Sequence, residues 1–285
     1  MPEGDVVHRT ASRLHAALAG RVVVLSDLRW PSLATVDLTG RTVLEVVSVG
    51  KHLLTRLSAD PIRERDQAVP VTLHSHLKME GSWHVHRTGE RWGTSTRRRP
   101  EDGVRAVLAN EEWTAVGHRL GMLDLVPTMR EADVVGHLGP DLLGPGWGPD
   151  AVRQVVTSML QSPERTIGET LLDQRVVAGV GTFYLAEALF VRGITPWTPV
   201  AEVPDPPALV ELAQRMLAVN AGRAAQSTTG DLRPGRTQWV HGRAGKPCRR
   251  CGTRIRVDPI GQAPRDRVAF YCPRCQRGPS PTARR

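Results

Sequence analysis

The sequence predicts an α+β protein of several domains: a sheet domain of two packed layers, a mainly helical domain, and a small cysteine-bearing β-hairpin. Three observations carry this expectation. Short β-branched runs punctuated by Gly, Pro and Asp fill residues 21–126. Apolar residues at three- and four-residue spacing dominate 151–232. Four cysteines in two C-x2-C pairs sit in the last fifth of the chain.

In chain order, residues 5–19 suit a helix with Val6, Thr10, Leu14, Ala17 and Leu18 on one face, closed by Gly20. RVVVL, TVLEVVSV, LLTRL and VRAVLA then read as strands of a domain spanning 1–126. SADPIRERDQAVP and RTGERWGTSTRRRPEDG, the latter with its RRRP run, read as exposed loops. Residues 127–150 are expected to link domains, because they contain the Gly/Pro-rich GHLGPDLLGPGWGPD. AVRQVVTSMLQ, RTIGETLLDQR, GTFYLAEALFVRG and PALVELAQRMLAVNAGRAA read as helices of a second domain, 151–232. The cysteine hairpin occupies 233–277, and 278–285 reads as a disordered tail.

Composition excludes some classes. No apolar run approaches the ~18 residues of a membrane span, and no early apolar segment suggests a secretory signal, so a cytoplasmic setting is expected. In a reducing compartment cysteines are more often ligands than disulfides. The net charge of +9 is unevenly placed. Residues 233–285 hold 14 Lys/Arg and 2 Asp, net +12, while residues 1–232 hold 24 Lys/Arg against 27 Asp/Glu, net −3. A basic module concentrated around the cysteines suits a polyanion; a solvated basic tail is the plainer alternative.

Cys248 and Cys251 form one C-x2-C pair and Cys272 and Cys275 the other, with 20 residues between them. Four thiolates can close a tetrahedral zinc site, and the intervening TRIRVDPIGQAPRDRVAFY alternates as a hairpin should. Such a site is structural, with no open coordination position, and predicts one zinc per chain. In LLDQRVVAGVGTFYLAEALF, Gly179-Val180-Gly181 makes a tight turn and Thr182 opens a helix, an arrangement that can aim backbone N–H groups at a phosphate. Alone, that turn is equally an ordinary structural one.

The combination is more specific. PEGD at the N-terminus, GKHLL, SHLKMEG, LLDQRVVAGVGTFY and FYCPRCQ follow one another over 275 residues. Together they resemble the formamidopyrimidine-DNA glycosylase and endonuclease VIII family. The resemblance implies a β-sandwich domain with a flanking helix, a helix–two-turn–helix domain and a C-terminal zinc-finger hairpin, with damaged DNA as partner and a monomer as the working unit. It also implies roles. Pro2, exposed when Met1 is removed, is the nucleophile that attacks C1′ of the extruded nucleotide; its α-amine is more often neutral at cellular pH than a lysine. Glu3 is the acid and Lys51 assists elimination. Arg267, Gly181, Thr182 and His76 are phosphate contacts, Met79 is the wedge, and Glu187 is a supporting carboxylate. His118 and Leu120, in HRLG, stand where formamidopyrimidine-DNA glycosylases carry an orphan-base arginine and a wedge phenylalanine. That departure, with PEG at the start, places the chain nearer endonuclease VIII. Thr182 stands where the family usually has Asn, which offers two N–H donors where threonine offers one O–H. The expected activity is removal of oxidised pyrimidines and cleavage at abasic sites by β,δ-elimination. The rivals are an oxidised-purine glycosylase and a catalytically silent binder of damaged DNA. A zinc-ribbon transcription factor would account for the cysteines but not for the N-terminal motifs.

Overall fold

The computed structural model describes residues 2–60, 69–90, 103–264 and 266–281. Met1, most of the two charged loops including RRRP, and the last four residues lie outside them. The chain divides into two compact units, Met1–Pro2 with Val6–His137 and Glu3–Asp5 with Leu138–Arg285.

Among the described residues, the first unit contains most of α1 (Gly4–Leu18) and eight strands: β1 (Leu25–Leu28), β2 (Val43–Val49), β3 (His52–Leu57), β4 (Val71–His76), β5 (Ser82–Arg87), β6 (Val104–Ala109), β7 (Trp113–His118) and β8 (Met122–Pro127). They form two antiparallel sheets, ordered β1-β6-β7-β5 and β2-β3-β4-β8. Leu53, Leu57, Leu73 and Leu123 from the second sheet meet Ala106, Leu108 and Ala115 from the first, and α1 adds Val7, Ala11, Leu14 and Leu18. The buried helix face thus runs through Val7 and Ala11 rather than the expected Val6 and Thr10, one residue further round. RVVVL differs as well. Val23 exchanges hydrogen bonds with the backbone of Gly40 and Arg41, whereas Val24 N–H donates to Ala109. The run passes between the two sheets, and the strand begins only at Leu25.

The second sheet is buried on both faces at β4. Val71, Leu73 and Ser75 turn inward, while Thr72 and His74, also buried, turn to the outer face. The segment after β8, including α2 (Ala132–Val135), contributes to that outer face: Arg56 donates to both Glu131 oxygens at 2.7 Å, and the Thr72 hydroxyl donates to Glu131 as well.

The second unit holds α3 (Pro149–Leu160), α4 (Ile167–Leu172), α5 (Thr182–Arg192), α6 (Pro206–Ala221) and the hairpin β9 (Arg256–Ile260) and β10 (Arg267–Tyr271). Every residue from Thr182 to Phe190 is buried, which suits a sequence apolar on all sides. Around α5 the core is continuous, and Cys248, Ile255, Ile260, Ala269 and Cys272 of the hairpin region belong to it. The Gly/Pro-rich segment after residue 138 is packed too. Gly139 N–H donates to Gln174 O, Leu142 is fully buried, and Asp141 bridges to Ala178. At the other end, Ile194 bridges to Arg277 and the Thr195 hydroxyl donates to Pro279 O at 2.8 Å, so the described part of the expected tail is held at its start.

Candidate active site

Glu3 is fully buried in the second unit, and its carboxylate closes the N-terminus of α5. Oε2 accepts from Gly181 N at 2.9 Å and Tyr184 N at 3.3 Å, and Oε1 accepts from Phe183 N at 2.7 Å. Three amide donors and the positive end of a helix favour a carboxylate here. Thr182, between these donors, is itself buried at the first helical position. The glycines make this possible. A Cβ on Gly181 would lie 2.5 Å from Glu3 Cδ, and Gly179 adopts φ +104, where side chains are strained. Chain continuity leaves Pro2 as the next residue, partly exposed.

Two further side chains brace this region, Gln174 at the turn and Gln226 at Asp5. Gln174 accepts from Gly179 N at 3.1 Å and donates to Leu172 O and Val180 O, tying both turns between α4 and α5 together. Gln226 donates to both oxygens of the buried Asp5, at 3.0 and 2.9 Å. Sequence reasoning assigns a role to neither: Gln174 lies within the LLDQRVVAGVGTFY motif without being singled out by it, and Gln226 belongs to no motif. Glu187 is also fully buried on α5. It accepts from the Thr228 hydroxyl and from the amides of Trp239, Val240 and His241, the last three at 2.8 Å. Its visible work is to pin the loop between residues 228 and 241 to the helix.

In the first unit, Lys51, partly exposed, sits in the turn between β2 and β3. His76 Nδ1 accepts from Lys78 N at 2.8 Å, which leaves the proton of a neutral ring on Nε2 as an outward donor. Burial, then Lys78, His74 and Lys51, push the pKa of His76 down to about 4. Met79 follows on an exposed turn, 63 % accessible. His118 ends β7, edge-on to His84 at 5.6 Å, and burial lowers its pKa. Leu120 is different. It is 3 % exposed and fills the sandwich core, because Arg119 takes a left-handed φ of 46 that turns the following side chain inward. The Leu120 side chain therefore lies in the core of the sandwich rather than at its surface.

The four Sγ atoms of Cys248, Cys251, Cys272 and Cys275 lie within 4.8 Å of one another. Two of the separations are 3.9 and 3.5 Å. A tetrahedron with metal–sulfur bonds of about 2.3 Å has edges of about 3.8 Å, so the donor set fits a closed four-thiolate site. Arg267 is exposed at the start of β10 and, with Arg165 and Arg175, lines an open cleft of about 440 Å³ beside the α4–α5 turn.

A buried carboxylate on a glycine-turn helix, a two-sheet unit and a four-cysteine hairpin define a glycosylase-type fold. Solved structures agree: a Lactococcus lactis formamidopyrimidine-DNA glycosylase bound to abasic-site DNA matches with a TM-score of 0.72 and 20% identity, covering 97% of this chain and 100% of that one. Family models for the formamidopyrimidine-DNA glycosylase N-terminal domain and the formamidopyrimidine-DNA glycosylase H2TH domain match residues 1–120 and 138–223. Among relatives, "Probable endonuclease 8 2" of Streptomyces coelicolor is 48% identical over 99% of this chain and 96% of its own length. The "DNA-(apurinic or apyrimidinic site) lyase" of Mycolicibacterium smegmatis is 43% identical over 97% and 99%. A formamidopyrimidine-DNA glycosylase of Paracoccus denitrificans is 33% identical over 97% and 100%. The chain belongs to the formamidopyrimidine-DNA glycosylase and endonuclease 8 family.

Proposed function

We propose that the protein is a bifunctional DNA glycosylase and abasic-site lyase of base excision repair, acting on oxidised pyrimidines and on abasic sites. The observation that carries the reading is Glu3, locked by three amides beside the residue whose amine must react. After removal of Met1, the Pro2 ammonium passes a proton to the Glu3 carboxylate, leaving a neutral secondary amine and a carboxylic acid. The amine attacks C1′ of the extruded nucleotide and displaces the base, which leaves with the glycosidic electron pair and takes up the proton the amine nitrogen sheds. Glu3 returns the proton to the sugar ring oxygen, so the ring opens as the iminium forms. That cation acidifies the C2′ proton. Loss of the proton, and departure of the 3′ phosphate with the C3′–O electron pair, breaks the strand; a second elimination releases the sugar. Lys51 assists elimination, Arg267 and His76 grip phosphates, and Met79 fills the space left by the base.

The preference for pyrimidines draws support from greater identity to the Streptomyces coelicolor relative, 48%, than to the Paracoccus denitrificans formamidopyrimidine-DNA glycosylase, 33%, while the endonuclease 8 of Escherichia coli stands lower, at 28%. The four cysteines hold a zinc ion whose contribution is structural, fixing the hairpin that carries Arg267. The test is reductive trapping. Mature protein, abasic-site DNA and borohydride should give a covalent adduct that peptide mapping assigns to Pro2. Absence of any adduct, from protein whose first residue is verified as proline, leaves a binding role as the better account. Trapping across oxidised pyrimidines and oxidised purines separates the two enzyme readings.

A further inference from the structure

The outer face of the second sheet carries a hydrogen-bonded chain that the proposed chemistry does not use. Strand register builds it. His74 on β4 lies directly opposite Asp124 on β8, and His52 on β3 pairs with His76, one diagonal step from His74 on the same face. Asp124 Oδ2 is 3.1 Å from His74 Nδ1, and His74 Nε2 is 2.8 Å from His52 Nδ1.

The carboxylate sets the direction of the chain. Asp124 only accepts, so His74 Nδ1 carries a proton. His74 is fully buried, and burial holds its pKa below the ordinary value despite Asp124. A neutral His74 offers Nε2 as an acceptor, so His52 Nδ1 carries the next proton. The lone pair of His52 is left on Nε2. A proton added there disturbs no existing bond, and the resulting imidazolium is stabilised through His74 by Asp124.

The groups facing His52 are almost all basic. The His76 ring is edge-on at 4.9 Å and the His137 ring at 6.2 Å, with Lys51 adjacent in sequence and Lys78 in the turn after β4. Asp124 is the acid of the set and acts only through His74. Burial, then His76, His74, His137 and Lys78, push the pKa of His52 down to about 3. The site therefore keeps a built proton acceptor empty in the free protein, and an arriving anion opposes the part of that depression that comes from the surrounding positive groups.

We propose that Asp124 and His74 position His52 to take one proton from solvent at Nε2 when a DNA phosphate docks beside Lys51, and to donate that proton to the phosphate. This rests on the DNA-binding reading above. Because the bound form holds the extra proton, affinity rises as pH falls and is lost as pH rises through the His52 pKa of the complex.

The test is calorimetric titration with a duplex carrying a tetrahydrofuran abasic analogue, which cannot form a Schiff base. Runs near pH 7 in two buffers of unlike ionisation heat give the protons taken up per complex. The wild type should take up about half a proton or more beyond His52→Gln. Asp124→Asn keeps an oxygen acceptor on a side chain 47% exposed, so it should fold; its uptake should fall between the two. A purely structural role would leave the proton count unmoved. Equal uptake in the wild type and Asp124→Asn, with binding intact, overturns the proposal alone. A wild type with no salt-sensitive binding overturns it together with the DNA-binding reading.

Discussion

Glu3 occupies the space where a side chain at position 181 would stand. Gly181 has an ordinary extended φ, so the constraint is room rather than backbone strain. Gly181→Ala should therefore fold while displacing the Glu3 carboxylate. Displacement of about 1 Å costs on the order of a hundredfold in rate, and single-turnover excision of an oxidised pyrimidine should show it. Wild-type excision by a folded Gly181→Ala protein would remove Glu3 from the proposed acid role. Glu3→Gln tests the same group differently. Its amide NH2 must face at least one of three N–H donors, costing about 1–3 kcal/mol of stability. It also cannot shuttle the proton from Pro2. Excision of intact bases should fall further than cleavage of a ready-made abasic site, where less acid help is needed. Equal losses on both substrates would count against ring-opening as the step Glu3 serves.

Elements decide which of these residues a sequence can reveal. The glycine turn and the cysteine hairpin are legible because φ +104 at Gly179 and paired C-x2-C turns restrict residue type locally. The chain His52–His74–Asp124 is not legible in that way, since it spans three strands and exists only once register is set. Its single trace is polar residues at period two in VTLHSH, a strand whose other positions are apolar or small. RVVVL misleads for the converse reason: β-branched composition reports a fit to a pleated surface, not which sheet the backbone pairs with. The histidine-bearing sheet also makes a prediction about acid. The pKa of His52 and of His76 is lowered in the folded state, to about 3 and about 4, against about 6.5 in an unfolded chain. The unfolded state then binds more protons between those values, so the stability these groups confer is present above about pH 6.5 and is lost as pH falls toward about 3. His52→Gln should lessen the fall in melting temperature between pH 7 and pH 5 relative to wild type. An unchanged pH slope would show that His52 already titrates normally in the free protein.

At the scale of the whole molecule, the basic C-terminal module matters through what it packs against. Arg267 lines the cleft beside the α4–α5 turn with Arg165 and Arg175, and each phosphate contact steepens the salt dependence of binding. Arg267→Ala should reduce the slope of log K against log salt by about one unit, and an unchanged slope would mean the side chain meets no phosphate. Metal removal reaches further. Ala269 and Ile260 of the hairpin, with Cys248 and Cys272 themselves, share one core with α5. Glu187 on that helix holds the loop leading into the hairpin. Loss of the metal should therefore not be confined to the finger. If only about 4 kcal/mol of the metal's binding free energy reaches this core, its melting temperature falls by about 10 °C. Chelation followed by thermal circular dichroism in the helical band measures that shift, and metal analysis of the untreated protein should give one zinc per chain. A finger that melts while the helical transition stays in place would show that the shared core is held by the helices alone. The same experiment on Glu187→Gln, which leaves the four thiols intact, should lower the helical transition without releasing zinc, separating the loop's contribution from the metal's.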